Sequence, residues 1–150
     1  MPLSPLMPLL ENRYRTADLG LLLLRLGLGI MFVLHGYPKL MGGPEKWLGL
    51  GGEMKYLGIQ FAPTFWGFMA AVSETIGGQL LLLGLFFRWA CVALLLTMIV
   101  AAISHIGAGD GFGGYSHAVE SAVLFLALAF IGPGRFSVDQ VLFPPRRRLY

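Results

Sequence analysis

The chain contains 150 residues, of which 56% are hydrophobic and only 13% are charged, and its mean hydropathy is +0.71. Soluble domains carry charge on roughly 25% of their residues, so this composition argues against a water-soluble globule, and its hydrophobicity excludes intrinsic disorder. The net charge of +3 comes from basic residues at the chain ends and between apolar runs, which suits membrane orientation better than nucleic-acid binding. Cys91 is the single cysteine, so no intrachain disulfide or CxxC dithiol is possible.

Four windows have the length and polarity of membrane-spanning helices, which need about 20 mostly apolar residues. In chain order they are residues 18–39, 63–87, 89–108 and 116–132. Their Leu, Ala, Ile, Met and Phe content, with many glycines, favours helices over the short alternating strands of a membrane barrel. We therefore predict an all-α integral membrane four-helix bundle, formed by a single domain over residues 1–150.

The segments outside these windows predict how the chain enters and leaves the bundle. Residues 1–20 lack the basic start and cleavage site of a signal peptide, so we expect the first span to act as its own insertion signal. The loop 40–62 mixes apolar and aromatic residues with Lys and Glu, which indicates an interfacial loop or short helix between helices 1 and 2. Gly132-Pro133-Gly134 should end the fourth helix, and Ser137 is spaced to cap a short turn with Gln140.

The positions of Lys and Arg predict the orientation in the membrane. With four spans, both termini lie on one side together with seven arginines, whereas three lysines lie on the other side. The positive-inside rule then places both termini in the cytoplasm, and the first and third loops toward the periplasm or exterior. The basic residues are Arg13, Arg15, Arg88, Arg135, Arg146, Arg147 and Arg148 on the first side, and Lys39, Lys46 and Lys55 on the other.

Two charged residues lie at similar depth in the first and second spans. Counting 1.5 Å per residue from the span ends places Arg25 and Glu74 in the cytoplasmic half. Small residues share the helix face of Glu74, so a neighbouring helix can approach it closely. Because an unpaired charge in the bilayer costs at least a few kcal/mol, we predict a structural ion pair between these two side chains.

A second group of polar residues falls in the outer third of the membrane by the same count. Three helices contribute an imidazole or a carboxylate to it, and we predict that the group lines one polar cavity open to the exterior. The alternative is that each residue is a hydrogen-bonding group near the interface, without a function of its own. We assign catalytic roles to His35, His105 and Glu120, and a cofactor-binding role to the same residues with Lys39 and His117.

The chemistry of this group favours a quinone. Histidine and a desolvated carboxylate can hydrogen-bond a quinone carbonyl and exchange its protons. The same side chains could ligate a metal ion such as zinc, iron or copper, and two histidines could hold a haem b, although neither pattern is specific here. The polar groups could instead form a path for protons or a small solute.

Several motifs occur in a fixed order along the chain. They are an arginine in the first span, HGYPKL at 35–40, ETIGGQLLLLG at 74–84 followed by FFR, a glutamate in the fourth span, and GPGRFSVD at 132–139. In this combination, over residues 18–140, the chain resembles the DoxX family of small bacterial four-helix membrane proteins. The resemblance carries the family's polar positions onto Arg25, Lys39, Glu74 and Glu120. It also implies similarity to the membrane subunit of thiosulfate:quinone oxidoreductase and to accessory subunits of redox enzymes.

We therefore interpret the chain as an inner-membrane subunit associated with a quinone-linked oxidoreductase or a respiratory complex. Its expected partners are the lipid bilayer and either other proteins of a membrane complex or further copies of itself, and no nucleic acid. Two alternatives stay open at this point: a structural or assembly subunit without its own chemistry, and a small-solute transporter.

Overall fold

The computed structural model describes residues 16–144, and this part of the chain is helical and contains no strand. Four helices are long and apolar enough to cross a membrane: α1 (Ala17–Leu40), α3 (Pro63–Leu83), α4 (Phe87–Gly107) and α5 (Phe112–Ile131). Two shorter helices, α2 (Gly43–Gly52) and α6 (Val138–Leu142), follow α1 and α5. The predicted all-α membrane bundle, with a short helix between its first two spans, is confirmed. Arg13, Arg15 and Arg146–Arg148 lie outside the described residues.

Large apolar side chains cover the outside of the bundle. Leu23, Leu34, Trp89 and Phe130 are each more than 60% exposed. Water would penalise an apolar surface of this extent, whereas lipid does not. The chain is therefore a membrane protein, and its residues 16–144 contain four spans.

The helix ends differ from the predicted windows at two places. α3 ends at Leu83, four residues before the predicted 87, because Gly84 and Phe86 adopt left-handed backbone conformations with φ of 66° and 44°. These two residues turn the chain directly into α4. α5 begins at Phe112, four residues before the predicted 116, because Gly111 is extended and the glycines after it are accommodated in the first helical turn.

The segment between α1 and α3 folds against the start of α3. α2 is followed by a 3₁₀ turn over Glu53–Leu57. α2 crosses α3 where Gly51 meets Gly67, and a Cβ atom on either glycine would overlap a backbone carbonyl, that of Pro63 or that of Trp47. Two missing side chains therefore allow the two helix backbones to touch, as small residues do between membrane helices.

Replacing Gly51 by alanine should destabilise the protein by about 1–3 kcal/mol, since the new methyl group forces α2 away from α3. The control is Gly49→Ala in the same helix, where an added Cβ meets nothing within 4 Å. Alanine there should be neutral or stabilising, because it favours the helix by up to about 1 kcal/mol. Thermal unfolding in detergent measures the stability of both variants. Equal melting temperatures of the Gly51→Ala and Gly49→Ala variants would show that α2 and α3 are not in tight contact at Gly51.

α3 contains one π-helical segment, Ser73–Gly77. Such a segment accommodates an extra residue in the helix and often marks a functional site. Here it contains Glu74 and Thr75, both buried against α1. The irregular turn of α3 therefore holds the buried carboxylate of the bundle.

The core lies between the four long helices. α1 packs chiefly on the second half of α3, and α5 packs chiefly on α4. α1 and α5 meet through Phe32 and Phe125, whose rings make an edge contact with centroids 4.8 Å apart. We call the two ends of the bundle the Lys39 end, which includes α2, and the Arg25 end, which includes α6.

Candidate functional site

A buried ion pair joins α1 to α3 at the Lys39 end. The ammonium of Lys39 donates to both carboxylate oxygens of Glu74, at 2.7 Å to Oε1 and 2.6 Å to Oε2. The carboxylate side chain is only 4% exposed, whereas that of Lys39 is 31% exposed. Because the carboxylate is withdrawn from solvent, loss of Lys39 would leave an uncompensated buried charge on Glu74.

The close approach of α1 to the π-helical segment brings the pair together. A Cβ atom on Gly36 would lie 2.5 Å from the backbone nitrogen of Thr75 and 2.7 Å from Cβ of Glu74. Gly36 therefore lets the two backbones touch, and Lys39 follows three residues later on nearly the same helix face. The indole Nε1 of Trp47 donates to the carbonyl oxygen of Lys39 at 3.0 Å and connects α2 to this point.

The predicted Arg25–Glu74 ion pair is wrong, because the two residues lie at different levels. Glu74 packs beside Gly36, which is eleven residues, or about 16 Å, beyond Arg25 along α1. The depth count took Pro63 as the membrane edge. In the structure the first turns of α3 lie beside α2 instead, as the contact of Gly51 with Pro63 shows, and this raises Glu74 toward the Lys39 end.

Arg25 instead binds backbone carbonyls at the opposite end and is 1% exposed. Its guanidinium donates to carbonyl oxygens of the last turn of α3 and of the segment that follows α5, at 2.8–3.2 Å. The last carbonyls of a helix have no partner within the helix and carry its negative end, so a guanidinium is well suited to them. The four acceptors are Leu81, Leu82, Pro133 and Phe136.

Asp139 completes this arrangement at the Arg25 end. Its carboxylate accepts hydrogen bonds from the backbone nitrogens of Phe86 and Phe87, at 2.8 and 2.9 Å, and so caps the start of α4. The hydroxyl of Ser137 accepts from the backbone nitrogen of Gln140 at 3.3 Å, which confirms the predicted cap of the last short helix. The GPGRFSVD motif therefore has a structural explanation in the closure of this end.

A cavity of about 700 Å³ opens between α3 and α4 under α2 and the 3₁₀ turn. Along α4 its wall runs from Ala93 to Ala108, about 22 Å of helix. Most of the wall is apolar, as is usual for sites that bind small molecules. Its polar groups include Lys39, Trp66, Ser73, Glu74, Thr97 and His105.

Trp66 provides an unused hydrogen-bond donor at this cavity. Its indole Nε1 is buried and has no hydrogen-bond partner among residues 16–144. Leaving a buried donor unpaired costs about 1–3 kcal/mol, so a turn of the Trp66 ring that brought Nε1 to an acceptor in the cavity would be favoured. Neighbouring hydroxyl groups are already paired, since Thr97 Oγ1 lies 2.9 Å from Ser73 Oγ.

His105 lies at the mouth of the cavity, bonded to Asp110. The imidazole Nδ1 is 2.6 Å from a carboxylate oxygen of Asp110, and both side chains are about half exposed. A carboxylate bonded to one ring nitrogen orients the imidazole and leaves the other nitrogen free to exchange a proton. The pair is therefore placed between the aqueous side and the cavity wall.

The five residues predicted to line one cavity are divided between two faces of the bundle, so that prediction of a shared cavity is wrong. Lys39 and His105 line the α3–α4 cavity, but His35, His117 and Glu120 are exposed elsewhere, on the side where α1 meets α5. The depth count carried no information on angle. Around the axis of α1, His35 lies 100° from Gly36, which faces α3. Around the axis of α5, Glu120 lies 200° from the buried Ala118, so both side chains face away from the α3–α4 cavity. The roles assigned to these residues stay predictions.

Sequence reasoning missed two residues of this cavity. A tryptophan near the start of the second span is typical of the aromatic belt at the membrane interface. Only the structure shows that the indole nitrogen of Trp66 is buried without a partner among residues 16–144. Asp110 lies five residues after His105 in the glycine-rich GAGDG segment, so this spacing was a usable signal.

The described residues contain no cluster of three or more His, Cys, Asp or Glu side chains arranged to hold a metal ion. The imidazole rings of His35 and His117 lie near each other, with ring centroids 6.4 Å apart. The polar groups at the α3–α4 cavity include the Lys39 ammonium paired with the Glu74 carboxylate, the Trp66 indole, and the His105 imidazole bonded to the Asp110 carboxylate. Such groups suit hydrogen bonding to an organic ligand better than coordination of a metal.

The fold and the site define a class, a four-helix membrane protein with a buried Lys–Glu pair beside a cavity between two spans. Residues 20–106 match the family model described as DoxX. The chain belongs to the DoxX family, and the resemblance inferred from its motifs is confirmed.

Several bacterial proteins are similar to the chain. It is 35% identical over 134 residues to "Uncharacterized membrane protein Rv3486" of Mycobacterium tuberculosis, covering 79% of this chain and 78% of the relative. It is 34% identical over 90 residues to "Putative oxidoreductase CatD" of Bacillus subtilis, covering 60% and 62%. It is 31% identical over 145 residues to "Inner membrane protein YphA" of Escherichia coli, covering 86% and 99%. No solved structure matches the chain.

Proposed function

We propose that the chain binds the head group of a quinone in the α3–α4 cavity and serves as the membrane subunit of a quinone-linked oxidoreductase. The observation that carries this proposal is the Lys39–Glu74 pair beside an apolar cavity that is also lined by Trp66, whose indole nitrogen is buried without a partner among residues 16–144. One relative is named as an oxidoreductase, and another as an inner membrane protein, which supports a redox role in that membrane.

The cavity fits a quinone in shape and polarity. A quinone has a polar ring with two carbonyl oxygens and a long apolar tail. The length of apolar wall along α4 offers room for part of such a tail, and the polar groups lie toward the Lys39 end. The carbonyl oxygens need donors, and Trp66 Nε1 is one that no residue in the described part of the chain uses.

Each polar side chain then has a distinct task. A bound quinone supplies the redox chemistry, since it takes up two electrons and two protons, with the electrons coming from a partner oxidoreductase. Trp66 would turn its ring toward the cavity and orient one carbonyl oxygen by donating its indole N–H. Lys39 holds a proton at Nζ close to the same cavity, and Glu74 balances its charge. His105, positioned by Asp110 at the mouth, would pass protons between water and the cavity.

The proposal includes the orientation predicted from the sequence, with both termini in the cytoplasm. In that orientation the Lys39 end, with His105 and Asp110, faces the periplasm. Protons would therefore be exchanged with the periplasmic side. His35, His117 and Glu120 take no part in this proposal.

Replacing Trp66 by phenylalanine should weaken quinone binding about threefold to tenfold, because it removes one hydrogen bond and keeps the aromatic ring. The experiment uses the full chain in lipid nanodiscs and a photoreactive azido-quinone, with the labelled residues identified by peptide mass. We expect labelling of α3 and α4 that excess unmodified quinone suppresses.

The matched control is Trp89→Phe, which changes an exposed tryptophan at the opposite end of the bundle and should leave binding unchanged. Labelling outside α3 and α4, labelling that excess quinone does not suppress, or equal affinity of the Trp66→Phe variant and the parent protein would each reject the proposal.

A further inference from the structure

One face of α5 is exposed along most of its length. His117, Glu120, Leu124, Ala127 and Ile131 follow one another at alternating intervals of three and four residues, and all five are exposed. This is the spacing at which two helices pack along a shared seam. The opposite face of α5 is buried in the bundle and includes Phe125 and Leu128.

Glu120 makes this face unsuited to lipid. It lies eight residues after Phe112, the first residue of α5, and is therefore about 12 Å along a membrane-spanning helix. Its side chain is exposed, and among residues 16–144 no hydrogen bond or ion pair involves it. Ionisable residues within membrane spans almost always face protein or a water-filled cavity, since facing lipid is costly. A protein surface over Glu120 would remove this cost.

Two imidazoles lie on the same side of the bundle as Glu120. His35 on α1 and His117 on α5 have ring centroids 6.4 Å apart, and both are exposed. Within the described chain neither ring has a hydrogen-bond partner. The exposed face thus carries an unpaired carboxylate together with unpaired imidazole nitrogens, which can donate to it.

We propose that this face is the interface between two copies of the chain in the membrane, related by a two-fold axis. In a two-fold interface the same patch occurs on both subunits, so a patch that carries both a donor set and an acceptor is complementary to itself. The carboxylate of Glu120 from each copy would meet the imidazoles of His35 and His117 from the other. Leu124, Ala127 and Ile131 would form the apolar part of the seam.

This dimer is independent of quinone binding. The α3–α4 cavity lies away from the exposed face of α5, so it would stay accessible in both copies. The dimer could therefore exist without quinone binding, and quinone binding could occur in a monomer. Their tests are separate for the same reason.

The first test is cysteine cross-linking in native membranes at Ala127→Cys. Cys91 is fully buried, so the parent protein should stay uncross-linked. The control is Val92→Cys, which lies on α4 at a comparable depth and is also exposed, but on another face. We expect a disulfide-linked species of twice the chain mass from Ala127→Cys and none from Val92→Cys.

The second test measures the monomer–dimer equilibrium in liposomes by single-molecule photobleaching at several protein-to-lipid ratios. Glu120→Ala should raise the dissociation constant about tenfold, because interhelical hydrogen bonds in membranes are lost. The matched control, Glu45→Ala, changes an exposed glutamate on α2 and should have no effect. Equal cross-linking at residues 92 and 127, an adduct to a protein of different mass, a monomer at every ratio, or an unchanged dissociation constant for Glu120→Ala would overturn the proposal.

Discussion

Replacing Lys39 by methionine is expected to destabilise the bundle by about 3–5 kcal/mol, because it strands the buried carboxylate of Glu74 without its cation. Methionine keeps most of the length and apolar stem of lysine, so the change removes the charge with little loss of packing. Both oxygens of Glu74 accept from Lys39, at 2.7 and 2.6 Å, so both would lose their partner. Denaturant unfolding in detergent micelles measures the change in the free energy of unfolding.

Two further variants make this result interpretable. Combining Lys39→Met with Glu74→Gln should recover much of the lost stability, since no uncompensated charge is then left between α1 and α3. Lys55→Met removes an exposed lysine that lies 4.0 Å from Glu53 and should cost less than about 1 kcal/mol. A Lys39→Met variant as stable as Lys55→Met would show that the buried pair does not hold α1 to α3.

Replacing Arg25 by methionine should cost at least about 3 kcal/mol, since one side chain satisfies four backbone carbonyls from two parts of the chain. The last turn of α3 would lose its donor, and the segment after α5 would lose its anchor. Arg25→Lys should also be destabilising, because a single ammonium cannot reproduce the forked geometry of a guanidinium. Thermal unfolding in detergent gives the size of the effect.

A second measurement separates local from global damage in the Arg25 variants. Limited proteolysis should cut the segment between α5 and α6 faster, because Pro133 and Phe136 no longer receive hydrogen bonds. Arg135→Met is the control, since that side chain is 81% exposed and its loss should change neither melting nor proteolysis. Unchanged cleavage in the Arg25→Met variant would contradict the anchoring role.

Hydropathy and residue type along the chain were sufficient to predict the membrane environment, the four spans and the short helix between the first two. These properties are local, because about 20 apolar residues must cross the lipid whatever they pack against. The cap formed by Ser137 and Gln140 was predictable for the same reason, since its two residues are three positions apart. The sequence also singled out Arg25 and Glu74 as residues that need partners, because charge inside a span is costly.

The identity of those partners was decided only by the tertiary structure. Arg25 binds carbonyl oxygens 56 to 111 residues away, and every residue carries a carbonyl, so no side-chain pattern could reveal them. Lys39 pairs with Glu74 because α2 packs beside the start of α3 and because Gly36 lets the π-helical segment approach α1. Depth along a helix can be counted from the sequence, but the angle a side chain faces depends on which helices become neighbours. That dependence placed His105 at the cavity and left Glu120 on the exposed face of α5.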